Sequence, residues 1–141
     1  MSEYTGLKLS MPTETLNIQF STVNSLGFDG VCQYSTLKYR SGTKSILIFN
    51  KGQYEVLCGI SSVGIKTIEV YCWSYTIGKA VLEIWSLDGQ TLLGSSVNTN
   101  VELWEQLLVT FTASSIGLYR IRLKNLQTDG KAIYFDDLSL L

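Results

Sequence analysis

Ile65-Lys66-Thr67-Ile68-Glu69-Val70-Tyr71-Cys72-Trp73-Ser74-Tyr75 alternates from Thr67 onward. Ile68, Val70 and Cys72 fall on one side of the chain, and Thr67, Glu69, Tyr71, Trp73 and Tyr75 fall on the other. A period of two is the signature of a strand with one buried face. The same pattern spreads outward in both directions. Leu82 and Ile84 suit a core, with Val81, Glu83 and Trp85 opposite them. Leu107, Val109 and Phe111 point in, with Trp104, Gln106 and Thr110 out. Tyr119, Ile121 and Leu123 point in, with Arg120, Arg122 and Lys124 out. Strands are expected near 15–20, 31–39, 45–50, 53–60, 65–75, 80–87, 90–96, 103–112, 117–124 and 132–140. That spacing, with turn residues about every ten positions, predicts an all-β sandwich of two antiparallel sheets.

The punctuation agrees. Asp88-Gly89 and Asp129-Gly130 suit tight turns between strands, and Asn50-Lys51-Gly52 marks another. The one proline, Pro12, lies ahead of the first confident strand, where its missing N–H donor does no harm. Residues 1–14 read as an N-terminal arm, either frayed or added as a strand to a neighbour, and 15–141 as the sandwich domain. A chain of 141 residues fits one domain and buries roughly 68–70% of its unfolded surface, so no staple is needed.

Composition narrows the partners. The net charge is −1, from 11 basic and 12 acidic residues, so no basic field exists for nucleic acid. No run approaches the ~20 apolar residues that cross a bilayer as a helix, and no membrane partner is expected. Met1–Leu16 lacks the basic start and apolar run of a secretory leader. Charged residues make up 16% of the chain against 45% hydrophobic. Either a large core is decorated with neutral polar groups, or a binding surface is covered in the working state. Cys32, Cys58 and Cys72 are odd in number, so they cannot all pair within one chain. The expectation is three reduced thiols in a reducing compartment, with a Cys58–Cys72 bridge as the alternative.

Outward-facing rings define a candidate binding face. Tyr71, Trp73, Tyr75 and Trp85 would lie beside Glu69, Glu83, Arg120 and Arg122 on one sheet. Flat rings give contact area at low entropic cost, and charged groups fix orientation. The competing reading is that these rings merely cover a sheet or pack beneath an arm or long loop.

Catalysis is not expected. With no histidine in the chain, serine and cysteine triads and most zinc sites are excluded, and no glycine-rich phosphate loop is present. Glu69 and Glu83 could serve a glycosidase, but outward Glu beside outward Arg more often forms cross-strand ion pairs. Asp136-Asp137 is more distinctive in so apolar a run. One acid could bind Ca²⁺ with backbone carbonyls, while the other accepts backbone hydrogen bonds. Alternation puts the two on opposite faces unless a bulge intervenes.

One resemblance rests on particular residues. These are Trp104-Glu105-Gln106-Leu107-Leu108-Val109-Thr110-Phe111-Thr112-Ala113, Gly117-Leu118-Tyr119-Arg120-Ile121-Arg122-Leu123, and Ala132-Ile133-Tyr134-Phe135-Asp136-Asp137-Leu138-Ser139-Leu140. Tyr39-Arg40-Ser41-Gly42 and Asn17-Ile18-Gln19-Phe20 add to them. Together they resemble the carbohydrate-binding-module-like jelly rolls. The resemblance implies a jelly-roll β-sandwich, sugar binding in the secreted members, and a structural calcium held by Asp136. The family's Glu after the residue matched by Phe20 is replaced here by Ser21.

Similar jelly rolls occur in tailed-phage virion proteins. The leading expectation is therefore a non-enzymatic virion subunit, assembled in the host cytoplasm, that decorates or cements a capsid. Its partners would be capsid or other virion subunits, and it would form a homo-oligomer. The alternative is an extracellular carbohydrate-binding module that stacks a glycan on Tyr71, Trp73, Tyr75 and Trp85.

Overall fold

Strands form where the alternating runs stand. The computed structural model describes residues 17–18, 32–42, 45–49 and 51–141. Its strands are β1 (Asn17–Ile18), β2 (Cys32–Ser35), β3 (Ser45–Ile48), β4 (Gln53–Ile60), β5 (Gly64–Trp73), β6 (Ala80–Trp85), β7 (Leu92–Val97), β8 (Trp104–Ala113), β9 (Gly117–Asn125) and β10 (Ile133–Leu140). All ten expected strands are present, most with trimmed ends. The proposed arm, residues 1–14, lies outside the described residues.

Two antiparallel sheets result. One has the order β2-β3-β10-β5-β8, with β1 pairing the far end of β10, and the other has the order β4-β9-β6-β7. Consecutive strands β4 and β5 sit in different sheets, as do β5 and β6, β7 and β8, and β8 and β9. The chain crosses repeatedly between layers, which is the jelly-roll arrangement.

The inward positions read from alternation are the core. Ile68, Val70 and Cys72 of β5 meet Leu82 and Ile84 of β6, Leu107, Val109 and Phe111 of β8, and Ile121 and Leu123 of β9, all buried. Each of the Ile, Val, Leu and Phe side chains among them stabilises by about 1.5–3 kcal/mol relative to exposure. Cys32, Cys58 and Cys72 are buried thiols and no bridge forms. Burial pushes the Cys72 thiol up to about 12, so it behaves as a small hydrophobe.

Two glycines serve this packing differently. Gly89 turns the Asp88-Gly89 loop with φ of +73°, as the sequence predicts. Gly94 lets β7 approach the other sheet: a Cβ there would stand 2.6 Å from Val109 Cγ1.

Candidate functional site

The crossing between layers divides the eight residues of the expected binding face. Glu69, Tyr71 and Trp73 leave the outer face of the larger sheet on β5, and Tyr75 follows just past the strand end. Glu83 and Trp85 (β6) and Arg120 and Arg122 (β9) leave the outer face of the smaller sheet. The outward direction of all eight is as expected, but they lie on opposite sides of the sandwich. A single aromatic face joining Trp85 to Trp73 does not form. Alternation within a strand says which side faces the core; it does not say which sheet the strand joins.

The smaller sheet's half is an ionic lattice. Glu55 of β4, fully buried, accepts Arg120 Nη1 at 2.7 Å on one oxygen and Arg122 Nε at 2.7 Å on the other. Trp85 Nε1 donates to Glu83 at 2.7 Å, Lys124 pairs with the same Glu83 oxygen at 2.9 Å, and Arg122 lies 4.9 Å from the Trp85 ring centroid. Glu55 escaped the sequence reading. Its only signal was an acid at an outward position opposite Arg122 in a register that sequence does not reveal.

The larger sheet's half carries the rings. Register aligns Leu47, Tyr134, Trp73 and Trp104 side by side across β3, β10, β5 and β8. Trp73 meets Tyr75 edge-on at 4.8 Å and Tyr134 edge-on at 6.1 Å. Tyr134 is buried and Trp73 half-buried, while Tyr75 is 40% exposed. The segment after β2 crosses this face. Lys38 Nζ stands 4.0 Å from the Trp73 ring centroid and the Arg40 guanidinium 3.5 Å from that of Tyr71. Tyr71 is therefore covered by a loop of its own chain, as the competing reading anticipated, and Trp73 is capped by a flexible amine. Glu69 accepts Gln106 Nε2 at 3.1 Å.

A buried polar network ties together the loops that follow β5, β7 and β9. Asn98 Oδ1 accepts the N–H groups of Lys79 (3.0 Å) and Ala80 (2.9 Å), while its Nδ2 donates to the carbonyls of Thr76 and Asn100, both at 2.9 Å. Asn125 Nδ2 donates to the carbonyls of Ile48 and Lys131. Thr76 Oγ1 donates to Gln127 Oε1 at 3.0 Å. With donors and acceptors matched, such a network rigidifies what it supports. Glu105 closes the next loop by accepting the N–H groups of Thr99 and Asn100. Burial pushes its carboxyl up, but these N–H donors outweigh that and hold it below the ordinary glutamate range. The sequence reading passed over Asn98, Asn125 and Gln127, because isolated amides in loops look like solvent-facing decoration.

Asp136 and Asp137 meet one loop rather than opposite faces. The pairing of β10 with β5 is irregular between Asp136 and Ser139, and Asp137 takes a φ of +53°, the bulge that alternation required. Asp136 Oδ2 accepts the N–H groups of Arg40 (2.9 Å) and Ser41 (3.2 Å), and its Oδ1 accepts that of Asp137 (2.9 Å). Asp137 accepts Arg40 Nη1 at 2.8 Å and Ser41 Oγ at 2.6 Å. Burial raises the Asp136 carboxyl above the ordinary aspartate range, against the pull of the Ser41 and Arg40 N–H groups.

Calcium wants oxygen ligands, and the described neighbours of Asp136 offer N–H donors instead. No group of three or more His, Cys, Asp or Glu side chains gathers among the described residues. Among the described residues Asp136 takes part in no metal site. Ser21, which stands where the resemblance has its Glu, lies outside the described residues.

The Glu69–Glu83 pair fails on geometry. Glycosidase carboxylates stand ~5–9.5 Å apart, whereas these two project from opposite outer faces of layers that pack ~10 Å apart.

The fold defines the class: a jelly roll shared with solved carbohydrate-binding modules. The C-terminal CBM6 of LamC, a marine laminarinase of Zobellia galactanivorans, superposes with a TM-score of 0.63 at 19% identity, covering 89% of this chain and 98% of that one. A β-1,3-glucan binding CBM6 from Bacillus halodurans gives 0.59 at 17% identity, with 97% of both chains covered. The carbohydrate-binding module CBM36, solved in complex with calcium and xylotriose, gives 0.61 at 14% identity, covering 89% and 99%. No family model and no curated protein matches the sequence. The similarity is one of fold.

Proposed function

We propose that the chain is a non-catalytic carbohydrate-binding domain that takes a saccharide against Trp73 and Tyr75. The observation that carries this reading is the edge-on Trp73–Tyr75 pair at the end of β5. It is partly exposed and buttressed by Tyr134 and the Asn98 network. Rings held rigidly at a partly dry surface suit the apolar faces of sugar rings. The solved structures of the same fold include modules whose names say that they bind glycans. The extracellular placement belongs to this reading. Trp85 does not share the site.

The test is glycan-array and calorimetric binding. Wild type is expected to bind at least one polysaccharide. Trp73→Ala should lose that binding at least tenfold while keeping the wild-type circular dichroism spectrum. Binding that survives Trp73→Ala intact would remove the site.

The capsid-decoration reading stands second. Ile65 (74% exposed) and Leu108 (45%) project from the larger sheet's outer face and are the apolar side chains that a neighbouring subunit docked there would cover. A homo-oligomer in solution that Leu108→Glu dissociates would favour this reading over glycan binding.

A further inference from the structure

The structure assigns the Trp73–Tyr75 platform a substrate class: acidic rather than neutral saccharides. This inference rests on the carbohydrate-binding reading above. Lys38 places its ammonium 4.0 Å from the Trp73 ring centroid, and Lys131 places its own 5.5 Å from that of Tyr75. Among the described residues, no carboxylate lies within ion-pair distance of either ammonium.

The nearby acids are otherwise engaged. Glu105 is turned toward Thr99 and Asn100, Asp137 holds Arg40, and Asp129 accepts the backbone N–H of Lys131. By contrast, the arginines and Lys124 of the smaller sheet all have carboxylate partners. The two lysines thus form a positive rim on a ring platform in a chain whose net charge is −1.

Lys38 also decides between ligands by where it sits. A sugar stacking on Trp73 must move the amine off the ring, which weakens binding by about two- to fivefold for an exposed cation–π contact. A neutral sugar recovers none of this. A uronate or sulfate at the ring edge draws the displaced ammonium into a charge-assisted hydrogen bond and recovers it with surplus. Arg40 does not take part, because Asp137 already neutralises it.

A polysaccharide array carrying neutral members (cellulose, mannan, xylan, β-1,3-glucan) and acidic ones (polymannuronate, polygalacturonate, sulfated galactan) tests this with the full chain. Acidic members alone should be retained, more weakly as NaCl rises. The double variant Lys38→Gln/Lys131→Gln should weaken that binding about tenfold, flatten its salt dependence and leave the melting temperature unchanged. Retention of neutral members alone, or binding that the double variant leaves untouched, overturns the acidic assignment while carbohydrate binding stands. Retention of no member overturns both.

Discussion

Asp136 shows how one side chain can organise two distant segments. Its carboxylate joins the last strand to the Arg40–Ser41 turn, almost a hundred positions earlier, and that turn carries Lys38 and Arg40 over the rings. Both oxygens accept N–H groups, so an amide in this place would set its NH₂ against a backbone donor. Asp136→Asn should therefore destabilise the domain by about 1–3 kcal/mol, measured as a lower urea midpoint at unchanged slope. An unchanged midpoint would mean that the turn is held by something else. That these acids were special was legible from their setting in an apolar run. That they bind one loop was not, because the bulge at Asp137 depends on how β10 pairs with β5.

At the scale of elements, the strands were legible almost throughout and their neighbours were not. Alternation over Ile65–Tyr75 placed Ile68, Val70 and Cys72 in the core correctly, since a half-buried strand needs period two whatever it pairs with. The pairing of β5 with β8 and β10, and of β6 with β9, depends on contacts between segments tens of residues apart. Gly94 illustrates this. In sequence it is an ordinary strand glycine, while in the fold it is where β7 closes on Val109 of the other sheet. Gly94→Ala must push Val109 aside and should destabilise by about 1–3 kcal/mol, read as a fall in melting temperature. A neutral result would mean that β7 can lift without loss.

For the whole molecule, the consequence of the jelly-roll path is two outer faces of different character. One face pairs buried Glu55 with Arg120 and Arg122 and has its charges satisfied. The other holds rings under lysines that have no acid partner among the described residues. Trp85→Ala should leave saccharide affinity within about twofold of wild type, because changes at well-separated sites act independently. Isothermal titration beside Trp73→Ala checks this. A joint loss in both variants would return the two tryptophans to one site.

The sequence alone determined that this chain is an all-β sandwich, which faces of β5, β6, β8 and β9 turn to the core, and which of their rings point outward. Those properties follow from the period of the chain and the burial of apolar side chains, both local in sequence. Only the tertiary structure decided which outward residues share a surface, because that depends on which sheet each strand enters. It set Trp73 and Tyr75 apart from Trp85, placed Glu55 between two arginines, and brought Lys38 onto a tryptophan thirty-five residues away.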